Sequence, residues 1–177
     1  MSRIAADIAT DGGDWDALPG LDALVEKALD AAAASCGLDL APDVGVSVLL
    51  TDDRRMRDIN REWRGADKPT NVLSFAAFPP DRLARDAGTA PFLGDIALAF
   101  ETVRREALDE GKPLGDHVSH LLVHGFLHLV GFDHEAEAEA LAMEALERQV
   151  LAGMGIPDPY GADEPDSAAA GSAGAAR

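Results

Sequence analysis

Apolar and polar positions change period several times along the chain, and each change marks an element. Residues 3–9 read as a short first strand, and the Asp-rich run Asp11 to Pro19 reads as a loop. Leu21, Leu24, Val25, Ala28, Leu29 and Ala32 repeat at helical spacing, with Gly37 placed to end the helix. Val44 to Leu50 alternates and carries β-branched residues, the signature of a strand. Thr51 and Asp52 offer N-caps for a helix reaching Trp63. Val72 to Phe78 and Leu93 to Phe100 predict two more strands, joined by a loop punctuated by Pro79, Pro80, Gly88 and Pro91. Three helices follow: Glu101 to Glu110, Pro113 to Val130 with proline in its first turn, and Glu135 to Ala152. Four strands with helices gathered after the last one predict an α+β fold, a small mixed four-stranded sheet packed with about five helices.

Composition narrows this picture. The 177 residues suit one domain, assigned to residues 1–156. Residues 157–177 are Pro, Gly, Ser, Ala and acidic, with almost no large apolar side chain, and are expected to form a disordered acidic tail. Aromatics make up only 5%, so the core must be built from Ala, Leu and Val. A net charge of −17 excludes a nonspecific polycation, so any nucleic-acid contact has to be local. The lone Cys36 forbids an internal disulfide and a cysteine-based zinc cluster. With no signal-peptide core and no apolar run of about 20 residues, the expectation is a cytoplasmic protein that does not enter a membrane.

All five histidines fall within the eighteen residues His117 to His134. On a helix, His117, His120, His124 and His128 lie within roughly 80° of one another, a polar stripe on an otherwise apolar element. The i, i+4 pair His124 and His128 puts two imidazoles on one side of the helix, as a shared metal requires, and Gly131 lets the chain turn so that His134 becomes a third ligand. Three ligands leave a position open, the arrangement of a catalytic rather than a structural zinc. His120 and Asp133 are candidates for supporting an imidazole or touching substrate; His117 is a weaker one. The spacing also matches the zincin-like metal helix of metzincin proteases, which place a catalytic Glu directly after the first histidine. Here that residue is Gly125, so a peptide hydrolase would lack its general base.

Asp52 to Lys68 holds six of the fifteen Lys and Arg residues and has a local charge of +1. Such a helix is ordinarily a salt-bridged, solvated face, as is the acidic last helix with Glu135, Glu137, Glu139, Glu144 and Glu147. Arg64 stands apart because it sits where helix becomes loop. Phe75, Phe126 and Phe132 read as core rather than as platforms for bases.

The segments Arg64-Gly65-x-Asp67 to Phe75, Leu93 to Ile96, and His124-Gly125-x-Leu127-His128-Leu129-x-Gly131-Phe132-Asp133-His134 resemble the YbeY family of ribosomal-RNA maturation factors, in the same order, over about residues 44 to 152. The resemblance implies a metal-dependent, single-strand-specific endoribonuclease acting in small-subunit (16S) rRNA 3′-end maturation and ribosome quality control. It implies one zinc per chain on His124, His128 and His134, Arg64 as the active-site arginine, and the ribosome or its proteins as partners, with no DNA substrate. Imidazole ligands alone suit zinc, nickel and copper alike. A zinc and Arg64 together could stabilise charge developing on phosphate, whether activated water or the RNA 2′-OH attacks. Two other readings stand beside this one: a non-catalytic ribosome-assembly factor with a structural zinc, and a metal-dependent hydrolase of peptides or small molecules.

Overall fold

The computed structural model describes residues 4–161. Strands β1 (Ile4–Thr10), β2 (Val44–Thr51), β3 (Val72–Ala76) and β4 (Phe92–Ala99) form a single sheet in the order β1-β2-β4-β3. The first three in that order are parallel, and β3 runs antiparallel to β4 at the edge, so the sheet is mixed. Among the described residues six α-helices accompany it: α1 (Leu21–Ser35), α2 (Asp53–Arg64), α3 (Pro80–Asp86), α4 (Phe100–Asp109), α5 (Leu114–Leu129) and α6 (Glu137–Gly153). The α+β architecture and four-stranded mixed sheet are those expected. The expected strand residue Arg3 and tail residues 162–177 lie outside the described residues.

Alternation sorts the side chains between two faces. Val44, Val46, Val48 and Leu50 of β2 and Leu93, Ile96 and Leu98 of β4 point to a core shared with α1 and α5. On the opposite face Met56 of α2 packs with Ala97, Ala99, Leu49 and Leu73. Helix α5 lies within the main core, burying Val118, Leu121, Leu122, Val123, Phe126, Leu127 and Leu129. Each such side chain is worth roughly 1.5–3 kcal/mol over its exposed state, so the backbone that presents the histidines is firmly held.

Three local expectations need correction. The proline-rich connection after β3 contains the two-turn helix α3, which starts on Pro80 and is anchored by buried Leu83. One apolar anchor is too little for a periodic signal, and the Pro and Gly punctuation masks it. The run from Asp11 to Pro19 is tied down: a 3-10 turn at Trp15–Ala17 buries the indole edge-on against Phe100, with Trp15 Nε1 donating to the Thr51 carbonyl at 3.1 Å. At the other end, composition suggested a loose segment from Pro157 onward, but residues 157–161 pack against the body. Lys112 Nζ donates to the Pro159 carbonyl at 3.0 Å, and Arg148 Nε to Asp158 at 3.2 Å.

Candidate functional site

Arg64 is the last residue of α2, whose direction is fixed at both ends. Asp52 caps its N-terminus by accepting from the Arg55 amide at 2.8 Å, while Asp53 accepts from the amide and hydroxyl of Thr102 at the start of α4. Beyond the helix, Asn60 Nδ2 donates to the Lys68 carbonyl at 2.8 Å and holds the following loop. Arg57 makes a two-pronged contact with Asp67, and Arg61 pairs with Asp58 and Asp67, so these basic residues form the solvated, paired face expected of them. Arg64 points elsewhere: its Nη2 donates to the Ser74 carbonyl of β3 at 2.8 Å and its guanidinium lies 5.0 Å from the centre of the Phe75 ring. No carboxylate among the described residues is within ion-pair distance of it.

Helix α5 supplies the other half of the site. Its C-terminus closes with Phe132 N donating to Leu127 O and Gly131 N to His128 O, the paired bonds of a Schellman ending. Gly131 takes φ of +105°, which side chains disfavour, and a Cβ there would meet the Pro80 ring at 2.9 Å. This turn, followed by Asp133 Oδ1 accepting from the His134 amide at 2.7 Å, brings His134 back over the helix end. One ring nitrogen from each of His124, His128 and His134 then lies within 4.8 Å of the others.

The donor set fits a metal ion. The Nε2 atoms of His124 and His128 are 3.2 Å apart. Two imidazole nitrogens on a tetrahedral zinc at its usual bond length would be separated by about 3.3 Å. Burial foremost, then the neighbouring His124 and His134, push the His128 imidazolium below its ordinary range and favour the neutral ring a metal needs. No second such cluster of three occurs among the described residues.

The three histidines and Arg64 line one cleft of about 960 Å³ along the free edge of β3, with Trp63, Asn71, Ser74, Phe75, Phe132 and Asp133 around them. Gly125 faces the sheet: a Cβ there would sit 3.1 Å from Ser74 Oγ and 3.2 Å from Ile96 Cγ2. A side chain there would require Ser74 and Ile96 to give by a few tenths of an ångström, so packing disfavours the glutamate that a peptide hydrolase of this spacing carries and that the sequence lacks.

The remaining histidines separate from this group. His117 is buried and its Nε2 contacts Glu106 Oε1 at 2.9 Å, an oxygen that also accepts from Asn71 at 3.0 Å. His120 Nε2 contacts Glu147 Oε1 at 2.7 Å, and its Nδ1 is buried with no partner among the described residues, which selects the tautomer protonated at Nε2. His120 therefore reaches the cleft only through Glu147, whose second oxygen accepts from His124 Nδ1 at 3.1 Å. Asp133 lines the cleft and braces the turn before His134.

Sequence reasoning misplaced Glu147. Far from forming a solvated face, it is 1% exposed and accepts from His120, His124 and the Tyr160 hydroxyl at 2.8 Å. Burial alone would raise its pKa, but the hydrogen bonds from both imidazoles prevail and hold the carboxyl down at about 2. An ionised Glu147 keeps the His124 proton on Nδ1 and leaves Nε2 for a metal. The signal was present: Glu147 shares the stripe of Met143, Val150 and Leu151, where a carboxylate has no reason to be unless it meets donors. Phe126 is core as expected and Phe132 packs against that core while also lining the cleft, whereas Phe75 is half buried and lines the cleft.

Comparison with known proteins gives the family. A family model described as Endoribonuclease YbeY matches residues 15–155. Endoribonuclease YbeY of Rhodopseudomonas palustris strain BisB18 is 57% identical over 147 residues, covering 82% of this chain and 86% of that protein. The Bradyrhizobium diazoefficiens relative of the same name is 53% identical over 151 residues, covering 85% and 81%. Among solved structures, the solution structure of TM1509 from Thermotoga maritima shares the fold, with a TM-score of 0.52 at 24% identity over 84% of this chain and 91% of that one.

Proposed function

The chain belongs to the YbeY endoribonuclease family, and from that premise we propose that it is a zinc-dependent enzyme that cuts single-stranded RNA, acting on the 3′ end of small-subunit (16S) rRNA during ribosome maturation and quality control in the cytoplasm. The observation that carries the reading is the convergence of His124, His128, His134 and Arg64 on one cleft. His124, His128 and His134 hold the zinc, which supplies Lewis acidity toward a phosphoryl oxygen and acidifies water. Arg64 presents a planar fork to the phosphate and stabilises the charge that develops there. Its contact with Ser74 fixes that fork before substrate arrives, and Ser74 in turn abuts the helix that carries the ligands. Glu147 holds the orientation and tautomer of His124. The Tyr160 hydroxyl braces Glu147 from the C-terminal segment, donating to it at 2.8 Å. The ribosome and its proteins are the partners this substrate entails, and among the described residues no helix is long and apolar enough to cross a membrane.

The test is cleavage of a single-stranded RNA carrying the small-subunit 3′ end by metal-quantified protein, beside His124→Ala and Arg64→Ala. Both variants should lose cutting, by roughly 10²–10³-fold for Arg64→Ala, the effect of deleting one preorganised donor. Zinc should be lost from the histidine variant alone. Equal cutting in all three proteins would reject the assignment.

A further inference from the structure

Trp63 is 68% exposed, in a protein whose other tryptophan, Trp15, is buried. It immediately precedes Arg64, lines the same cleft, and has its ring 6.0 Å from that of Phe75 at an angle of 59°. Phe75 in turn underlies the Arg64 guanidinium. Helix α2 is otherwise strongly polar on its outward side, and Trp63 with the half-buried Phe75 makes a contiguous aromatic patch in the cleft rather than a lone exposed apolar residue.

We infer that Trp63, backed by Phe75, is a stacking platform for one nucleobase of the RNA strand, next to the phosphate held by Arg64. The inference rests on the functional reading above and deepens it. Phe75 supports the indole at a tilt and about two thirds of the residue is open to solvent, which leaves surface for a flat, weakly polar ring. The neighbouring Arg64 guanidinium, unpaired with any carboxylate among the described residues, puts a local positive charge in the cleft despite the overall charge of −17, so an occupant with an anionic linker beside an aromatic face matches both groups. A nucleotide within a single strand has both. A duplex keeps its base faces stacked on one another, so a platform at this point favours single strands whatever their sequence.

The experiment uses the full, zinc-loaded chain and a 2′-O-methyl RNA hexamer that resists cutting through its own 2′ oxygen, with strand integrity checked by gel. Binding should quench the Trp63 emission, and the quench should vanish in Trp63→Phe, which retains only Trp15. Trp63→Phe should keep affinity within about threefold, whereas Trp63→Ala should weaken it by about 5- to 150-fold. A fully abasic ribose-phosphate hexamer separates stacking from indirect effects: wild type and Trp63→Ala should bind it equally weakly. Equal affinity of wild type and Trp63→Ala for the intact strand would overturn the platform and leave the exposed ring as a protein-docking surface. A loss of the same size on intact and abasic strands would overturn it too, tracing the effect to a displaced Arg64. Failure of the wild type to bind any single strand would instead reject the functional reading itself.

Discussion

Helix α5 carries histidines with two different fates. Toward its N-terminal half, His117 and His120 are turned into the protein and each meets a carboxylate, Glu106 from α4 and Glu147 from α6. At its C-terminal end His128 faces the cleft beside His134, and their ring centres are 5.0 Å apart. His124 belongs to both regions, with Nδ1 on Glu147 and Nε2 toward His128. Residue type and helical phase are nearly the same throughout, so neither decides the role. What decides it is whether a neighbouring element delivers a carboxylate to the ring or leaves a nitrogen facing open space.

The sharpest way to break that comparison is to delete one histidine from each region. His128→Ala should reduce bound zinc from about one per chain to near none, because two imidazoles rarely hold a catalytic site that three define. His117→Ala should keep its zinc to within about a tenth, while stability falls by about 1–3 kcal/mol as Glu106 and the surrounding core lose a partner. Metal content after gel filtration, set beside urea unfolding, reads both. Zinc loss from His117→Ala comparable to that from His128→Ala would show that the two regions are one site.

Glu147 joins the regions, and its substitution should act on each. Glu147→Gln keeps the volume but removes the charge, and metal affinity should fall about 10- to 100-fold, the usual effect of changing the group behind a ligating imidazole. Stability should change with pH in a defined direction. The folded-state carboxyl is depressed from the ordinary 4.5 to about 2, so its contribution is fully present above pH 4.5 and is lost as pH falls toward 2. That shift corresponds to about 3 kcal/mol at neutral pH. Urea midpoints of wild type and Glu147→Gln should therefore differ most at pH 7, by roughly half as much near pH 3, and converge near pH 2. A gap that stays constant across this range would mean that the carboxylate is not the charged group its neighbours make it.

How far the sequence reveals this depends on how local each signal is. The histidine cluster was legible because i, i+4 spacing and a helix-ending glycine are short-range features, and burial of α5 followed from its continuous apolar faces. Arg64 was legible through its place where helix becomes loop and through the family motif, since as a residue type it gives the same signal as Arg57 and Arg61, which form ion pairs. Glu147 gives the same charge signal as its acidic neighbours, and only its place on the apolar stripe of α6 separates it from them. Trp63, Phe75 and Tyr160 depend on contacts between elements far apart in sequence, such as the edge strand against the end of α2, and no periodicity encodes these. Helix α3 is anchored by one leucine, which is below what any pattern can register.

Tyr160 tests the smallest link in the comparison. Asp158 Oδ1 accepts from the Tyr160 amide at 2.8 Å, and the Arg148 guanidinium lies 5.2 Å from the ring centre, so the side chain is placed independently of its hydroxyl. Tyr160→Phe should keep that placement and remove one of the three donors to Glu147. The carboxylate would retain both imidazoles, so the expected cost is about 1 kcal/mol in stability, with a decrease in zinc affinity of a few-fold at most. The effect on affinity should be smaller than that of Glu147→Gln and, unlike it, should leave the pH dependence of stability nearly unchanged. If Tyr160→Phe instead matched Glu147→Gln in zinc affinity, the hydroxyl rather than the imidazole pair would be what holds the carboxylate against His124. The C-terminal segment would then be part of the metal site and not merely a brace beside it.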